Sequence, residues 1–262
     1  MNLNHSLLRH VYYGKWLLAA FWVAVAVVAF TDWWRLRLNL VGLVLAPVGL
    51  YVCVWIWAAW QRERVIREAP LPQFLERKLR DTYPHLSGKE ADLVERGLRQ
   101  FFLACNRSKR QFVAMPSKSV DAMWHEFIMH TKAYENWCQL ALGYFLHHTP
   151  AEALGKKADR NDGLRRAWYW GCRDEAINPR HPTRLPLLFA LDGKLGIEGG
   201  FSYVPDCSDI GRKSDQNGNG ADLYCGGSFS DGSASGDGGS FGGAESSNGD
   251  GSEGGGDGGG GD

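Results

Sequence analysis

The stretch 120-VDAMWHEFIMHTKAYENWC-138 has the pattern of a helix with one apolar side. At about 100° per residue, Trp124 and Phe127 fall together on that side. Asp121 and His125 lie one helical turn apart on its border, where a carboxylate can accept a hydrogen bond from an imidazole. The stretch therefore predicts a packed helix that carries an Asp–His pair at the edge of the core.

Two neighbouring histidines follow in 143-GYFLHHTP-150, and they leave the role of the pair open. In one interpretation Asp121 orients a half-buried His125, and the pair only supports a contact between helices. In another, His147 or His148 returns to His125, and the group binds zinc or iron with Asp121 as a ligand or as its neighbour. Acid–base catalysis without a metal is a third. The chain contains neither HExxH nor CxxC, so no motif decides among them.

The candidate residues form two overlapping sets. The candidate functional or structural network comprises Asp121, Trp124, His125, Thr131, Tyr134 and Cys138, and the metal-ligand candidates are His125, His147, His148 and Asp121. His130 lies far from His125 around the helix, which predicts a surface histidine.

A helical domain is predicted over residues 69–207. The run 71-LPQFLERKLRDTY-83 has apolar residues at helical spacing, and 87-SGKE-90 has the pattern of a capping box that opens the next helix. Ser117 and Ser119 are candidate caps for the helix that carries His125.

Two apolar runs precede this domain. Residues 16–30 carry no charge, and residues 38–60 form a second apolar run, which Trp33 and Trp34 precede and which ends with Trp55, Trp57 and Trp60. Their lengths predict a transmembrane hairpin over residues 1–61, with spans at about 13–31 and 38–60. The arginines after the second run favour an integral membrane protein with both termini in the cytoplasm.

The C-terminal segment 208–262 is predicted to be a disordered acidic tail rich in glycine and serine. From Gly226 to Asp262 it contains seven acidic residues and no lysine or arginine. Such a segment has too little apolar surface to offset the entropy lost on ordering. The predicted fold class is therefore all-α, with a transmembrane hairpin, a soluble helical domain and a disordered tail.

The cysteines are interpreted through the predicted cytosolic location, where disulfides are rare. Thiols or metal ligands are expected at Cys105, Cys138, Cys172, Cys207 and Cys225. The last two flank a loop, and they are consistent with a metal clip, a redox pair or two unrelated thiols.

The pattern V-D-x-x-W-H-x-F-I-x-x-T-x-x-Y-x-x-x-C, followed by G-x-F-x-H-H-x-P, resembles a family of uncharacterised bacterial membrane proteins with a Gly-rich C-terminus. More distantly, D-x-x-W-H is similar to a motif of plant glycine-rich domain proteins. The resemblance covers about residues 70–207. It implies a location in the bacterial inner membrane and no particular reaction. Its matched positions are Asp121, Trp124, His125, Thr131, Tyr134, Cys138, His147, His148 and Pro150.

These features favour a membrane-anchored binding or scaffolding protein. Its expected partners are the lipid bilayer and a membrane or cytosolic protein, and no basic cluster around exposed aromatic residues points to nucleic acid. The alternative is a metal-dependent enzyme, with zinc or iron, centred on His125 with His147 or His148. A third hypothesis is a small membrane subunit whose hairpin packs on larger partners. Whether the protein is an enzyme stays open at this stage.

Overall fold

A computed structural model describes residues 14–31, 40–150, 157–205, 223–229 and 243–245, and within these ranges the chain is mostly helical. The helices are α1 (Gly14–Thr31), α2 (Leu40–Glu68), α3 (Phe74–Thr82), α4 (Gly88–Arg107), α5 (Lys118–Met129), α6 (Thr131–Ala141), α7 (Lys157–Asp174) and α8 (Leu187–Leu195). The strands are β1 (Val113–Ala114), β2 (His147–Thr149), β3 (Ser202–Val204), β4 (Leu223–Cys225) and β5 (Gly243–Glu245), with a 3₁₀ turn at Gly227–Phe229.

The predicted transmembrane hairpin over residues 1–61 is wrong. Among the described helices, none combines the length and the apolar character that crossing a membrane requires. Helix α2 does not end at Trp60 but continues through charged residues to Glu68 and buries Ile66 in the core. The orientation inferred for the hairpin loses its basis.

Two small sheets make the all-α prediction too narrow. One sheet has the order β1-β5-β2 with antiparallel pairs, and the other pairs β3 with β4 in parallel. Residues 208–262 were predicted to be disordered. This prediction is also wrong where the segment forms β4, the 3₁₀ turn and β5. Backbone pairing with distant strands satisfies the N–H and C=O groups of such a segment, whatever its composition.

Helix α4 lies at the centre of the core, in contact with α5, α7 and α8. Its predicted capping box is confirmed, because the Ser87 side chain accepts from the Glu90 N–H and the Glu90 side chain accepts from the Ser87 N–H. Phe101 and Phe102 are fully buried on its apolar side. The ring of Trp124 lies against both, with centroids 5.1 and 6.4 Å away, so α5 is anchored to α4.

A buried carboxylate joins α8 to the start of α5. Asp192 is 2% exposed and accepts five hydrogen bonds. Its Oδ1 accepts from Ser117 Oγ at 2.7 Å, from Ser119 Oγ at 2.8 Å and from Ser119 N at 3.1 Å. Its Oδ2 accepts from Lys118 N at 2.6 Å and from Phe201 N at 3.1 Å. These bonds tie α8, the segment before β3 and α5 together.

The same carboxylate completes the N-terminal cap of α5. Ser117 is the N-cap, as predicted, and its Oγ accepts from Val120 N at 3.3 Å. The backbone N–H groups of Lys118 and Ser119, which precede Val120, donate to the Asp192 carboxylate. The unpaired N–H groups of the first turn are thus satisfied, and the negative charge lies at the positive end of the helix dipole.

Replacing Asp192 with alanine is expected to lower the free energy of unfolding by about 3 kcal/mol or more, because two buried hydroxyls and three N–H groups lose their acceptor. Denaturant unfolding of the full chain measures the change. The exposed Asp81→Ala variant is the control and should change stability by less than about 0.5 kcal/mol. Equal stability of the two variants would contradict the anchoring role of Asp192.

Candidate metal centre

Three of the four predicted metal-ligand candidates converge where α5 meets β2. Asp121 and His125 lie one turn apart on α5, with Asp121 Oδ2 3.3 Å from His125 Nδ1. His148, on β2, donates a hydrogen bond from Nε2 to Asp121 Oδ1 at 3.3 Å. One ligand atom from each of the three side chains can be chosen so that all lie within 4.8 Å of one another. Two imidazoles and a carboxylate therefore face a common point.

The group is sheltered on one side and open on the other. The side chain of His148 is 15% exposed, that of Asp121 30% and that of His125 51%. The His148 ring lies between the rings of Trp124 and His125, with centroids 4.8 and 4.2 Å away. An ion bound here would be held by protein on the His148 side and accessible from the His125 side.

His147, the fourth candidate, does not join the group. It is exposed, and its ring lies against Phe145 with centroids 4.8 Å apart. Successive side chains of a strand point to opposite sides, so only one of two neighbouring histidines can meet α5. His130 is exposed and stacks on Phe74 at 3.8 Å, as a surface histidine was expected to be.

Residues 120–138, predicted to be one helix, belong to two helices. Helix α5 ends at Met129, His130 departs from helical geometry with ψ 61°, and α6 begins at Thr131. The helical wheel from Asp121 therefore fails beyond His130. Thr131, a member of the predicted network, is exposed at the start of α6.

The network residues Trp124 and Tyr134 lie behind the group and hold β2 in place. Trp124 Nε1 donates to the Tyr134 hydroxyl at 3.1 Å, and that hydroxyl donates to the Leu146 carbonyl at 2.6 Å. Trp124 and Tyr134 are both fully buried. Since Leu146 precedes the histidine pair and Trp124 precedes His125, these two bonds set the spacing between α5 and β2.

Cys138 packs beside this network and is not placed to bind an exposed ion. It is fully buried, and burial raises the pKa of its thiol to about 11. Burial likewise raises the pKa of Cys105 far above its usual value and that of Cys172 to about 12. These three side chains are therefore neutral thiols near neutral pH, with low nucleophilicity.

The expectation of a thiol is wrong for Cys225, which is disulfide-bonded. Cys53, Cys105, Cys138 and Cys172 are free. The expectation rested on the inferred cytosolic location, which the hairpin no longer supports. Cys207, the other cysteine of the predicted pair, lies outside the described residues.

Strand β5 is a neighbour of the candidate site that sequence patterns did not reveal. It lies between β1 and β2, and Ala244 is the register partner of both His148 and Val113. Three residues of a Gly-rich segment carry no periodicity from which such a pairing could be predicted. The backbone of β2 is thus held by β5 as well as by Tyr134.

Comparison with known proteins places the chain in a family. The model of the UCP032817-like family matches residues 61–229, so the chain belongs to that family. The match includes α5, α6 and β2, and its description gives no reaction. No curated protein matches the chain, and no solved structure does. The resemblance to plant glycine-rich domain proteins stays a prediction.

Replacing Tyr134 with phenylalanine is expected to lower the free energy of unfolding by about 1–3 kcal/mol, because the Leu146 carbonyl and the Trp124 N–H lose their buried partner. Denaturant unfolding of the variant beside the wild type measures the loss. Tyr169→Phe, at a side chain that is 44% exposed, should change little. A Tyr134→Phe protein as stable as this control would contradict the proposed support of β2.

Proposed function

We propose that Asp121, His125 and His148 bind one divalent transition-metal ion, zinc or iron(II), and that the protein is a metal-dependent enzyme. The observation that carries the proposal is the convergence of the three ligand atoms within 4.8 Å. Imidazole nitrogens and carboxylate oxygens suit both metals.

The distances within the group fit a shared ion. Two ligands at about 2.0–2.1 Å from a tetrahedral zinc are about 3.3 Å apart. Asp121 Oδ2 lies 3.3 Å from His125 Nδ1, Asp121 Oδ1 lies 3.3 Å from His148 Nε2, and one donor atom from each of the three residues lies within 4.8 Å of the other two. Binding one ion requires the side chains to rotate so that all three donors come to bonding distance.

The number of ligands favours a reactive centre over a structural one. Structural zinc sites have four protein ligands, whereas catalytic sites have three and leave a position for water or substrate. Two histidines and one carboxylate with open positions are also the ligand set of non-haem iron(II) oxygenases. Either ion would supply a Lewis acid that polarises a bound oxygen atom. The half-exposed His125 leaves access for a substrate.

Binding or scaffolding is the second candidate, and it has its own support. Helices α1 and α2 carry large apolar side chains that are well exposed, among them Trp16 at 65%, Leu17 at 71%, Leu50 at 67% and Trp60 at 59%. Exposed apolar surface of this kind favours binding to a protein partner. This role does not require a metal at His125 and His148, so metal analysis separates the two candidates.

Metal analysis of the full-length, untagged protein tests the proposal. The protein is stripped with chelator, loaded anaerobically with zinc or iron(II), desalted and analysed for bound metal. The wild type is expected to hold about one ion per chain, and His148→Ala to bind more than about 100-fold more weakly because a direct ligand is lost.

His147→Ala is the matched control, because it removes the neighbouring imidazole on the same strand. It should keep the metal, with circular dichroism showing that all variants are folded. A wild type that binds no metal, or equal metal loss in His147→Ala and His148→Ala, would reject the metal centre. Binding to a partner would then be the remaining candidate.

A further inference from the structure

A cavity of about 440 Å³ lies between α2, the end of α4 and the turn that follows α6. Among the described residues, its lining has four cationic side chains, those of Arg62, Arg107, Lys109 and Arg110, and one carboxylate, that of Glu63. None of the candidate metal ligands lines it. The cavity is in the size range of small-molecule sites.

Glu63, the only acidic side chain that the described part of the chain gives to this lining, is already paired. Glu63 accepts two hydrogen bonds from Arg107, from Nε at 2.8 Å and from Nη2 at 2.6 Å. This pair has the planar, two-bond geometry that arginine forms with carboxylates. Because Glu63 is paired with Arg107, the described cavity lining has no other carboxylate that could pair with Arg62.

Arg62 has a buried hydrogen-bond donor that is not satisfied by the described residues. Its Nε is buried and has no hydrogen-bond partner among the described residues. Burial, and then the nearby charge of Arg110, lower the pKa of the Arg62 guanidinium. An anion between the two arginines would supply the missing acceptor and offset their repulsion.

The backbone around the cavity is shaped to place these groups. Lys109 and Arg110 both have positive φ angles, of 50° and 69°, which residues with side chains adopt only at a cost. Gly143, with φ 79°, lies against the Arg62 guanidinium, and a Cβ there would overlap it. The chain thus leaves room for Arg62 at the position where Arg110 approaches it.

Aromatic side chains also line the cavity. Tyr51 and Trp55 from α2 line it, and Trp55 is 55% exposed. The guanidinium of Arg110 lies over the Tyr144 ring, 4.9 Å from its centroid. On α2, Trp55 and Tyr51 lie about two and three helical turns before Arg62, so the cavity offers apolar surface to one side of this cationic donor.

We propose that this cavity binds a phosphate-bearing molecule, with the phosphate between Arg62 and Arg110 and an apolar or aromatic part against Tyr51 and Trp55. Phosphate matches the donor geometry of guanidinium groups. Soluble phosphate esters and phospholipid headgroups both have this chemistry. The inference does not depend on the metal centre.

Calorimetric titration of the full-length protein with phenyl phosphate, and in parallel with inorganic phosphate, tests whether the ligand is a soluble phosphate ester. Co-sedimentation with phosphatidylcholine vesicles, with and without phosphatidylglycerol, tests whether the ligand is a phospholipid headgroup. Arg62→Gln is expected to weaken binding of the effective probe by at least about tenfold, because it removes a charged donor. Arg110→Gln should have a similar effect and serves as a second variant if Arg62→Gln fails to fold.

Arg64→Gln is the matched control, because Arg64 is on the same helix but exposed and paired with Glu68. It should bind the effective probe as the wild type does. Binding of phenyl phosphate would identify a soluble ester, and binding only to phosphatidylglycerol vesicles a lipid headgroup. No binding of any probe, or equal losses in Arg62→Gln and Arg64→Gln, would overturn the proposal.

Discussion

The structure around the candidate centre depends on the buried carboxylate of Asp192. Its five hydrogen bonds join α8 and Phe201 to the first turn of α5. A buried charge is stable only when its hydrogen-bonding capacity is filled, and here N–H groups and hydroxyls fill it. The arrangement also supplies the acceptors that the start of a helix lacks. Helix α5 is therefore held in one position by an interaction that tolerates little displacement.

This constraint extends to the candidate metal ligands through two short paths. Asp121 is two residues beyond Ser119, and His125 lies one turn further along the same helix. His148 is on a different element, and the bonds from Trp124 to Tyr134 and from Tyr134 to the Leu146 carbonyl set its distance from α5. A rigid shell of this kind is what a metal centre needs, because ligands held in place lose little entropy on binding the ion.

The sequence was most informative where the interaction is local. The pairing of Asp121 with His125, the N-cap at Ser117 and the capping box at Ser87 all follow from spacing within one helical turn, and the structure contains each of them. The sequence could not show whether His147 or His148 joins Asp121 and His125, because that depends on which side of β2 faces α5. The wheel failed past His130 because it assumed an unbroken helix.

The larger errors arose from reading composition as structure. The apolar runs suggested two membrane spans, but hydropathy did not show that α2 continues from Trp60 to Glu68 and buries Ile66 in the core. The Gly-rich tail suggested disorder, but β5 pairs with strands about 95 and 130 residues earlier in the chain. The state of Cys225 was inferred from a compartment and not from the residue. Each of these features depends on contacts between distant segments.

X-ray absorption at the zinc edge of the loaded full-length protein tests the central claim most directly. The account predicts a shell of nitrogen and oxygen atoms at about 2.0–2.1 Å, with the multiple scattering of two imidazoles and no sulfur. This result would match His125, His148 and Asp121 as the protein ligands. A sulfur atom at about 2.3 Å, or a shell without two imidazoles, would contradict the account.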